Sequence, residues 1–327
     1  MAQTQRPTAT PSAPSTRGPS AGPEEQAGGV RAPLPSGIEW VPSGSGAGEI
    51  VARTAACALR LELQGAQVLS FVPAGGSELL WLSPDAVRAP GQAVRGGIPL
   101  CAPWFADGPD GEHSPSHGPA RTTAWTLESA TVDQDGTVRL GLTTTADGVD
   151  LRLDLTAAQR LHLDLTLGLP PGAEPRRVEA ALHTYFAVAG VDCSTVTGLD
   201  GATVVDKLTG QVIEQAGDLR PTGAVDRIHR TAGPEGTVGL DDGDRSIGIE
   251  SQGCADTVVW SPGPEGARSM ADTPDDGWHR FLCVESACVG ERADGIDHSI
   301  HLEPGGSHTL SVTYSASDAG GAAGSAP

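Results

Sequence analysis

The chain has 327 residues, of which 44 are Gly and 26 are Pro, a share that argues against a helical bundle and favours a fold rich in turns and strands. Its 21 Lys and Arg residues against 41 Asp and Glu residues give a net charge of −20, which repels nucleic-acid backbones and anionic membrane surfaces. No apolar run resembles a membrane span or a signal-peptide core, so we expect a cytoplasmic monomer without nucleic-acid or membrane partners.

Both ends of the chain lack the large apolar side chains from which a core is built. Residues 1–36 and 317–327 are rich in Pro, Ser, Gly and Ala, and this composition predicts two disordered tails. We expect a single domain over residues 37–316 between them. The six cysteines are dispersed and lack CxxC spacing, so we interpret them as buried thiols.

Strand periodicity extends through the whole predicted domain. In residues 159–169, leucines alternate with other residues, which predicts one buried face made of Leu161, Leu163, Leu165, Leu167 and Leu169. Further strands are predicted at 59–63, 66–72, 78–82, 123–129, 137–145, 149–155, 177–188, 245–251, 256–260, 280–286, 298–303 and 308–314. The predicted fold class is all-β, a large antiparallel β-sandwich with few short helices.

One segment, residues 92–125, interrupts this alternation. It combines Arg95, His117 and Arg121 with the aromatic pair Trp104 and Phe105 in a stretch with little predicted regular structure. Long loops in a compact domain are usually functional or disordered, and the aromatic content argues against disorder. We interpret it as a binding loop, the alternative being a flap that only closes the end of the sandwich.

Two ionisable residues lie in strands that are otherwise apolar. His183 shares a predicted strand face with Tyr185, and Glu285 shares one with Cys283. A carboxylate among apolar neighbours must be paired, accept a raised pKa or open into a cleft. A lone His in a strand is more often a hydrogen-bonded core residue, and a lone Glu a surface group, so neither position alone indicates a function.

Six motifs follow one another along the chain in a recognisable order. They are RGGIP-x-C-x-PWF, HG-x-AR followed by Trp, HTYF-x-V leading to GL-x-G, VDRI, MAD with CVE, and a terminal PG. In this order they resemble the hexose-6-phosphate mutarotases, the glucose-6-phosphate 1-epimerases of the aldose 1-epimerase group. The resemblance runs from about Ile50 to Tyr314 and implies the galactose-mutarotase-like fold.

The resemblance implies interconversion of the α and β anomers of a hexose 6-phosphate, with glucose 6-phosphate as the expected substrate. Opening the pyranose ring removes a proton from O1 and delivers one to the ring oxygen O5, so one base and one acid suffice. Carried over from the family, the base is Glu285 and the acid is His183. We expect no metal and no organic cofactor, and the sequence has neither a metal-spaced His/Cys cluster nor a GxGxxG motif.

The family also implies the substrate-binding set, which is Arg95, Ser116, His117, Arg121 and Asp226. The two arginines are expected to bind the 6-phosphate, because a guanidinium can bind phosphate through two hydrogen bonds. Asp226 is expected to hold a sugar hydroxyl, the alternative being a surface ion pair with Arg227. Ser116 stands where the family usually has Gln, and its shorter side chain reaches less far, while Pro119 replaces a Phe.

Three other functions stay open from the sequence. A non-catalytic carbohydrate-binding module would not need an acid and a base that face each other. A glycoside hydrolase would need two carboxyl groups on either side of the bond. An epimerase for unphosphorylated aldoses would not need two arginines that converge on one point.

Overall fold

The computed structural model describes residues 29–231 and 235–318, and most of its regular structure is β-strand. The strands are β1 (Ile38–Val41), β2 (Glu49–Arg53), β3 (Cys57–Glu62), β4 (Gln67–Pro73), β5 (Leu100–Cys101), β6 (Thr126–Val132), β7 (Val138–Ala146), β8 (Val149–Ala157), β9 (Leu161–Gly168), β10 (Arg176–Val178), β11 (Ala180–Leu182), β12 (Tyr185–Ala187), β13 (Thr195–Thr197), β14 (Thr203–Asp206), β15 (Gln211–Glu214), β16 (Val225–Arg230), β17 (Glu235–Asp241), β18 (Arg245–Gln252), β19 (Asp256–Ser261), β20 (Phe281–Cys288), β21 (Ile300–Leu302) and β22 (Ser307–Asp318).

Helical structure is sparse in these two ranges. It consists of the two-turn helix α1 (Gly263–Ser269) and the 3-10 segments Val191–Cys193 and Gly277–Arg280. None of these helices has the length and apolar character needed to cross a membrane.

Two eight-stranded sheets form the body of the molecule. The core sheet has the order β13-β17-β18-β22-β9-β8-β7-β6, and the site sheet has the order β15-β14-β16-β19-β20-β11-β5, with β12 also paired to β20. A four-stranded sheet of β1 to β4 and the pair β10-β21 complete the architecture. The pairings between these strands are antiparallel, which confirms the predicted all-β sandwich.

The large apolar core lies between the sheets. The leucines of residues 161–169 all face it and are buried, as the alternation predicts. From the site sheet, Leu182, Phe186 and Val284 reach the same core. Because side chains alternate along a strand, their neighbours in sequence lie on the opposite face of the site sheet, here named the outer face.

The ordered domain begins earlier than residue 37. Residues 29–32 belong to the segment predicted as a disordered tail, and they pair with β6, where Leu127 N donates a hydrogen bond to Gly29 O at 2.6 Å and Val30 forms a bridge with Leu127. Backbone pairing thus orders a segment whose composition alone predicts disorder. The rest of that predicted tail, residues 1–28, lies outside the described residues.

Two further boundaries differ from the prediction. At the C-terminal end β22 runs to Asp318, so the strand includes the first two residues of the predicted tail, and residues 319–327 lie outside the described ranges. Residues 78–82 form no strand and make only the single bridges of Leu80 and Leu82. Their apolar pattern reflects burial of individual side chains, such as Leu80, rather than membership of a sheet.

Candidate active site

His183 and Glu285 lie beside each other on the outer face of the site sheet. Leu182 of β11 pairs with Ser286 of β20. Because the two segments are antiparallel, the residue after Leu182 comes to lie opposite the residue before Ser286. His183 Nε2 lies 3.4 Å from Glu285 Oε1. The sequence placed these residues about a hundred positions apart, and the antiparallel pairing of β11 with β20 makes them neighbours.

The chain leaves the regular ladder at His183 because the RGG segment takes over its backbone hydrogen bonds. His183 N donates to Pro99 O, and Tyr185 N donates to Gly97 O, each at 2.9 Å. This exchange separates β11 from β12, and β10 is separated from β11 at Glu179, whose N donates to Pro103 O at 2.9 Å, so the single strand predicted over 177–188 forms three short strands. Gly97 has a φ of +64°, and a Cβ there would lie 2.1 Å from a carbonyl oxygen of β4, so only glycine allows this approach.

Burial determines the protonation of the pair. The exposed fraction of the side chain is 1% for Glu285 and 8% for His183. Burial raises the pKa of the Glu285 carboxyl well above its ordinary value, and the charge of Asp226 adds to this shift. Burial also lowers the pKa of His183 well below its ordinary value, assisted by His117 and the nearby arginines. Both shifts favour a neutral carboxylic acid beside a neutral imidazole.

Each member of the pair keeps one polar atom without a protein partner. Within the described residues, Glu285 Oε2 and His183 Nδ1 are buried and make no hydrogen bond. Buried polar atoms are nearly always paired in folded proteins, because a missing hydrogen bond costs roughly 1–3 kcal/mol. The two atoms are therefore available to a ligand.

A cavity of about 290 Å³ contains all seven residues that the sequence predicts for the site. Its walls are formed by Arg95, Phe105, Ser116, His117, Arg121, His183, Tyr185, Lys207, Asp226, Val258, Trp260 and Glu285. The loop 92–125, the HTYF strand, the VDRI strand and the CVE strand thus converge on one place. Their individual roles stay predictions.

A second and larger cavity, of about 590 Å³, is lined by Trp104 and contains none of these seven residues. Its three arginines are paired with carboxylates, Arg176 with Asp147 at 2.9 Å, Arg177 with Asp297 at 2.6 Å and Arg292 with Glu179 at 3.0 Å. Neutralised arginines bind anions weakly, so the smaller cavity is the better candidate for a site that binds an anionic sugar.

Arg121 is the cation in the pocket with the most freedom to bind an anion. Its Nη2 donates to the carbonyl oxygen of Ser116 at 2.7 Å, and its buried Nε makes no hydrogen bond within the described residues. In the same ranges no carboxylate lies within ion-pair distance of it. Ser116 therefore contributes its backbone, through which it orients the guanidinium.

His117 enters the pocket from a left-handed backbone position, with a φ of +64°. Burial lowers its pKa to about 3, and Arg121 and Lys207 add to the shift, so the ring is neutral near pH 7. Its Nδ1 accepts a hydrogen bond from the backbone N–H of Ala106 at 3.3 Å. In a neutral imidazole the proton then resides on Nε2, which makes this nitrogen a hydrogen-bond donor.

Arg95 is already bound within the protein. Its Nε lies 3.2 Å from both carboxylate oxygens of Asp272, and its Nη1 donates to Tyr185 Oη at 3.0 Å. The Tyr185 ring stacks on His183 with 4.9 Å between centroids. Arg95 thus has less capacity for phosphate than the sequence implies, and it fixes the ring on which His183 rests.

Asp226 forms an ion pair with Lys207, whose Nζ lies 2.9 Å from Asp226 Oδ2. Arg227, the alternative partner considered from the sequence, instead pairs with Asp206 at 2.8 Å, so the surface ion pair between Asp226 and Arg227 is excluded. Burial raises the pKa of Asp226, and Lys207 opposes that shift. Asp226 therefore belongs to the pocket.

Residues 50–315 match the family model described as aldose 1-epimerase. The chain belongs to the aldose 1-epimerase family. A protein of Escherichia coli K12 named "Putative glucose-6-phosphate 1-epimerase" is 35% identical over 237 residues, which are 70% of this chain and 79% of that protein. A protein of the same name from Cenchrus ciliaris is 29% identical over 299 residues, which are 83% and 86% of the two chains.

Solved structures give the same family fold. The protein YeaD of Salmonella typhimurium, described as a "putative mutarotase", superposes with a TM-score of 0.76 at 25% identity and covers 88% of this chain and 96% of its own. The galactose 1-epimerase of Lactobacillus acidophilus superposes with a TM-score of 0.63 at 15% identity, over 83% and 94% of the chains, and so shares the fold. The predicted galactose-mutarotase-like fold is confirmed.

For this aldose 1-epimerase family member, the sequence reasoning missed two polar residues of the site. Asp272 lies in the MAD motif, but no role was assigned to it. Lys207 was not predicted to belong to the site, although it is the only lysine of the chain.

Within the described residues, no group of three or more His, Cys, Asp or Glu side chains is arranged to hold a metal ion.

Proposed function

We propose that the protein interconverts the α and β anomers of a hexose 6-phosphate, with glucose 6-phosphate as the preferred substrate. The observation that carries this proposal is the buried pair of His183 and Glu285, 3.4 Å apart, in which each residue has a polar atom with no hydrogen-bond partner among residues 29–231 and 235–318. Membership of the aldose 1-epimerase family and the names of the curated relatives support it.

The pair supplies both proton transfers of ring opening. Glu285 as carboxylate accepts the proton of the C1 hydroxyl while His183 as imidazolium donates a proton to O5, and the bond between C1 and O5 breaks to leave an aldehyde at C1. The pair is then a carboxylic acid and a neutral imidazole. Rotation about the bond between C1 and C2 presents the other carbonyl face, and closure reverses both transfers.

The protein needs no net proton exchange with water for this cycle. The ionic pair and the neutral pair hold the same number of protons, and burial favours the neutral one. Substrate binding must therefore only shift one proton from Glu285 to His183, which hydrogen bonds from the sugar to the carboxylate would assist. The neutral pair favoured by burial is also the state that accompanies the open-chain sugar.

We assign the 6-phosphate to Arg121, because its guanidinium has no carboxylate partner within the described residues. In a chain of net charge −20, phosphate binding requires such a local cation. Arg95, bound to Asp272, contributes to the field and holds Tyr185. The cytoplasmic location, the monomeric state and the domain boundaries beyond the described residues stay predictions.

Unphosphorylated aldoses are the second candidate substrates, and the ion pair of Arg95 with Asp272 favours them, since it leaves the pocket with fewer free cations than the sequence implies. A non-catalytic carbohydrate-binding module is less compatible with the pocket. Such a module needs neither an acid nor a base, whereas here two ionisable side chains face each other in it.

The test is the rate of anomer exchange of freshly dissolved α-glucose 6-phosphate, followed by polarimetry or by NMR exchange spectroscopy. We expect the protein to accelerate exchange of the 6-phosphate more than that of glucose, and a Glu285→Gln variant to lose the acceleration. Equal acceleration of both sugars would select the second candidate. No acceleration of either sugar by a folded protein would exclude both epimerase functions.

A further inference from the structure

Lys207 is the only lysine in a chain that has twenty arginines. Every other cationic position uses Arg, including both arginines of the pocket, so the composition of the chain predicts Arg at this position too. An ammonium group is a compact point charge with three donors, whereas a guanidinium is a planar fork that engages a carboxylate with two parallel hydrogen bonds. The cationic group at position 207 therefore forms hydrogen bonds with a geometry that differs from that of the arginines.

Lys207 belongs to a crossed arrangement of two ion pairs. In the antiparallel pairing of β14 with β16, Asp206 lies opposite Arg227, and the backbone N–H of Lys207 donates to Asp226 O at 2.9 Å. Because neighbouring residues point to opposite faces, Asp206 with Arg227 occupies one face and Lys207 with Asp226 the other. Only the pair of Lys207 and Asp226 lines the pocket.

This pair leaves donors and an acceptor free side by side. Lys207 Nζ lies 2.9 Å from Asp226 Oδ2, and the centroid of the Phe105 ring lies 6.0 Å from Nζ. An ammonium carries three N–H donors, and among the described residues Asp226 is the one acidic partner of Lys207, so the pair keeps donors and the carboxylate oxygen Oδ1 for a ligand. A sugar hydroxyl both donates and accepts, so it matches this pair.

The pair is unsuited to phosphate. The carboxylate of Asp226 lies next to the ammonium and would repel a dianion, whereas Arg121 has no ion-paired carboxylate in the part of the chain that the structure describes. Asp226 is on β16, two strands from the β20 strand that carries Glu285, which corresponds to about 10 Å between the backbones. A ring whose C1 lies at Glu285 would present its other hydroxyls to the pair.

We propose that Lys207 is a substrate-binding residue which, together with Asp226, binds a ring hydroxyl remote from C1 and thereby determines which hexose is accepted. This inference rests on the proposed function and adds the residue that selects the sugar. Lys207 holds Asp226 in place and donates to the hydroxyl oxygen, while Asp226 accepts the hydroxyl proton. An arginine at this position would direct its planar fork at Asp226 and would therefore be a poorer hydrogen-bond donor to the hydroxyl oxygen.

The first experiment measures anomer exchange for glucose 6-phosphate, its 2-deoxy, 3-deoxy and 4-deoxy analogues, and glucose. Lys207→Met should raise KM for glucose 6-phosphate about 10-fold or more with a smaller change in kcat, as expected for a lost hydrogen bond to a charged group. For the one analogue that lacks the contacted hydroxyl, this penalty should disappear. Lys207→Arg should recover only part of the loss.

The matched control is Arg227→Lys, on the opposite face of the same two strands, which should leave all rates unchanged. Two results would overturn the proposal. One is a Lys207→Met variant with wild-type KM for every substrate. The other is a penalty that persists for all deoxy analogues and disappears only for glucose, because that pattern identifies a phosphate contact.

The second experiment does not depend on catalysis. Labelling the full chain with ¹³C-lysine gives one lysine Cε signal, since Lys207 is the only lysine, and leaves all three N–H donors of its ammonium in place. We expect 1,5-anhydroglucitol 6-phosphate, which has no C1 hydroxyl and cannot open, to shift the lysine signal, and sulfate alone to leave it in place.

A shift of the lysine signal without any acceleration of anomer exchange would refute the proposed function and support the contact between Lys207 and the sugar. Accelerated anomer exchange without a shift of the lysine signal would refute the contact between Lys207 and the sugar and support the proposed function. An equal shift with sulfate alone would have the same meaning.

Discussion

The two large sheets place their polar residues differently. In β9 of the core sheet, the buried leucines alternate with His162, Asp164 and Thr166, which are partly exposed. In β20 of the site sheet all eight residues are buried, Glu285 and Ser286 among them. A polar side chain in the core sheet can thus reach water, whereas one in β20 depends on what the protein or a ligand provides.

The difference arises because both faces of the site sheet are covered at β20. One face packs on the large core, and on the outer face Phe105 of the loop 92–125 packs with Val258 and Ala287. An ionisable group in such a place carries a desolvation cost that core packing does not require. Its presence beside a second ionisable group in a cavity therefore indicates a function.

The largest effect should come from removing the acid or the base. Glu285→Gln and His183→Asn should each slow anomer exchange by at least about 10²-fold, the usual contribution of a positioned acid or base, and their combination should not multiply the losses. Thermal unfolding should be nearly unchanged, because each variant replaces a buried ionisable group by a neutral one. A folded variant with most of its activity would break the contrast between the sheets.

The core sheet should respond in the opposite way. Leu163→Ala removes a fully buried side chain from β9 and should lower the free energy of unfolding by about 2–5 kcal/mol. Denaturant unfolding measures this loss, and anomer exchange per folded molecule should stay at the wild-type rate. A loss of turnover without a loss of stability would mean that the two sheets do not divide structure and catalysis between them.

The same contrast explains what the sequence could predict. In the core sheet one face is buried and one is partly exposed, so the alternation of residues 161–169 predicted the strand and its buried face. At β20 the site sheet is covered on both sides, and its short strands β5 and β14 were not predicted. The strands β13 and β17, at the far end of the core sheet, were not predicted either. The strand predicted over 177–188 is divided because its backbone donates hydrogen bonds to Gly97, Pro99 and Pro103, which are contacts between distant segments.

Within the site, motif order predicted which residues meet but not which ions pair. Arg95 binds Asp272, and Asp226 binds Lys207, through contacts that only the folded register creates. Composition offered one signal for Lys207, its uniqueness among twenty arginines. The pairing of residues 29–32 with β6 was not predicted for the same kind of reason, since it depends on backbone groups, which composition does not reveal.

An effect of intermediate size should separate the two arginines of the pocket. Arg121→Ala should raise KM for glucose 6-phosphate by an amount equivalent to roughly 1.5–3 kcal/mol and leave glucose little affected, because it removes a charge-assisted contact remote from C1. Lys at this position should restore part of the loss. Sulfate should compete with substrate in the wild type and much less in the variant, and equal weakening of both sugars would contradict the phosphate assignment.

The smallest effect should appear in the pH dependence of stability, at a buried histidine of the site sheet that lies outside the pocket. His229 is fully buried on β16, with its Nδ1 3.3 Å from Thr257 O, and burial lowers its pKa to about 4. Between its ordinary pKa of about 6.5 and this value, the unfolded chain binds a proton that the folded chain does not. The free energy of unfolding should therefore fall as the pH falls through this window, by at most about 1.4 kcal/mol per pH unit from this group.

Urea unfolding at several pH values between about 4 and 7 measures this slope. His229→Gln should make it shallower, and Thr166→Ser, a change between non-ionisable residues on the partly exposed face of the core sheet, should keep the wild-type slope. The carboxylates titrate in both variants, so the difference between the two slopes does not contain their contribution. Parallel curves for all three proteins would show that the site sheet does not hold His229 neutral, and would weaken the argument that burial sets the protonation of His183 on the same sheet.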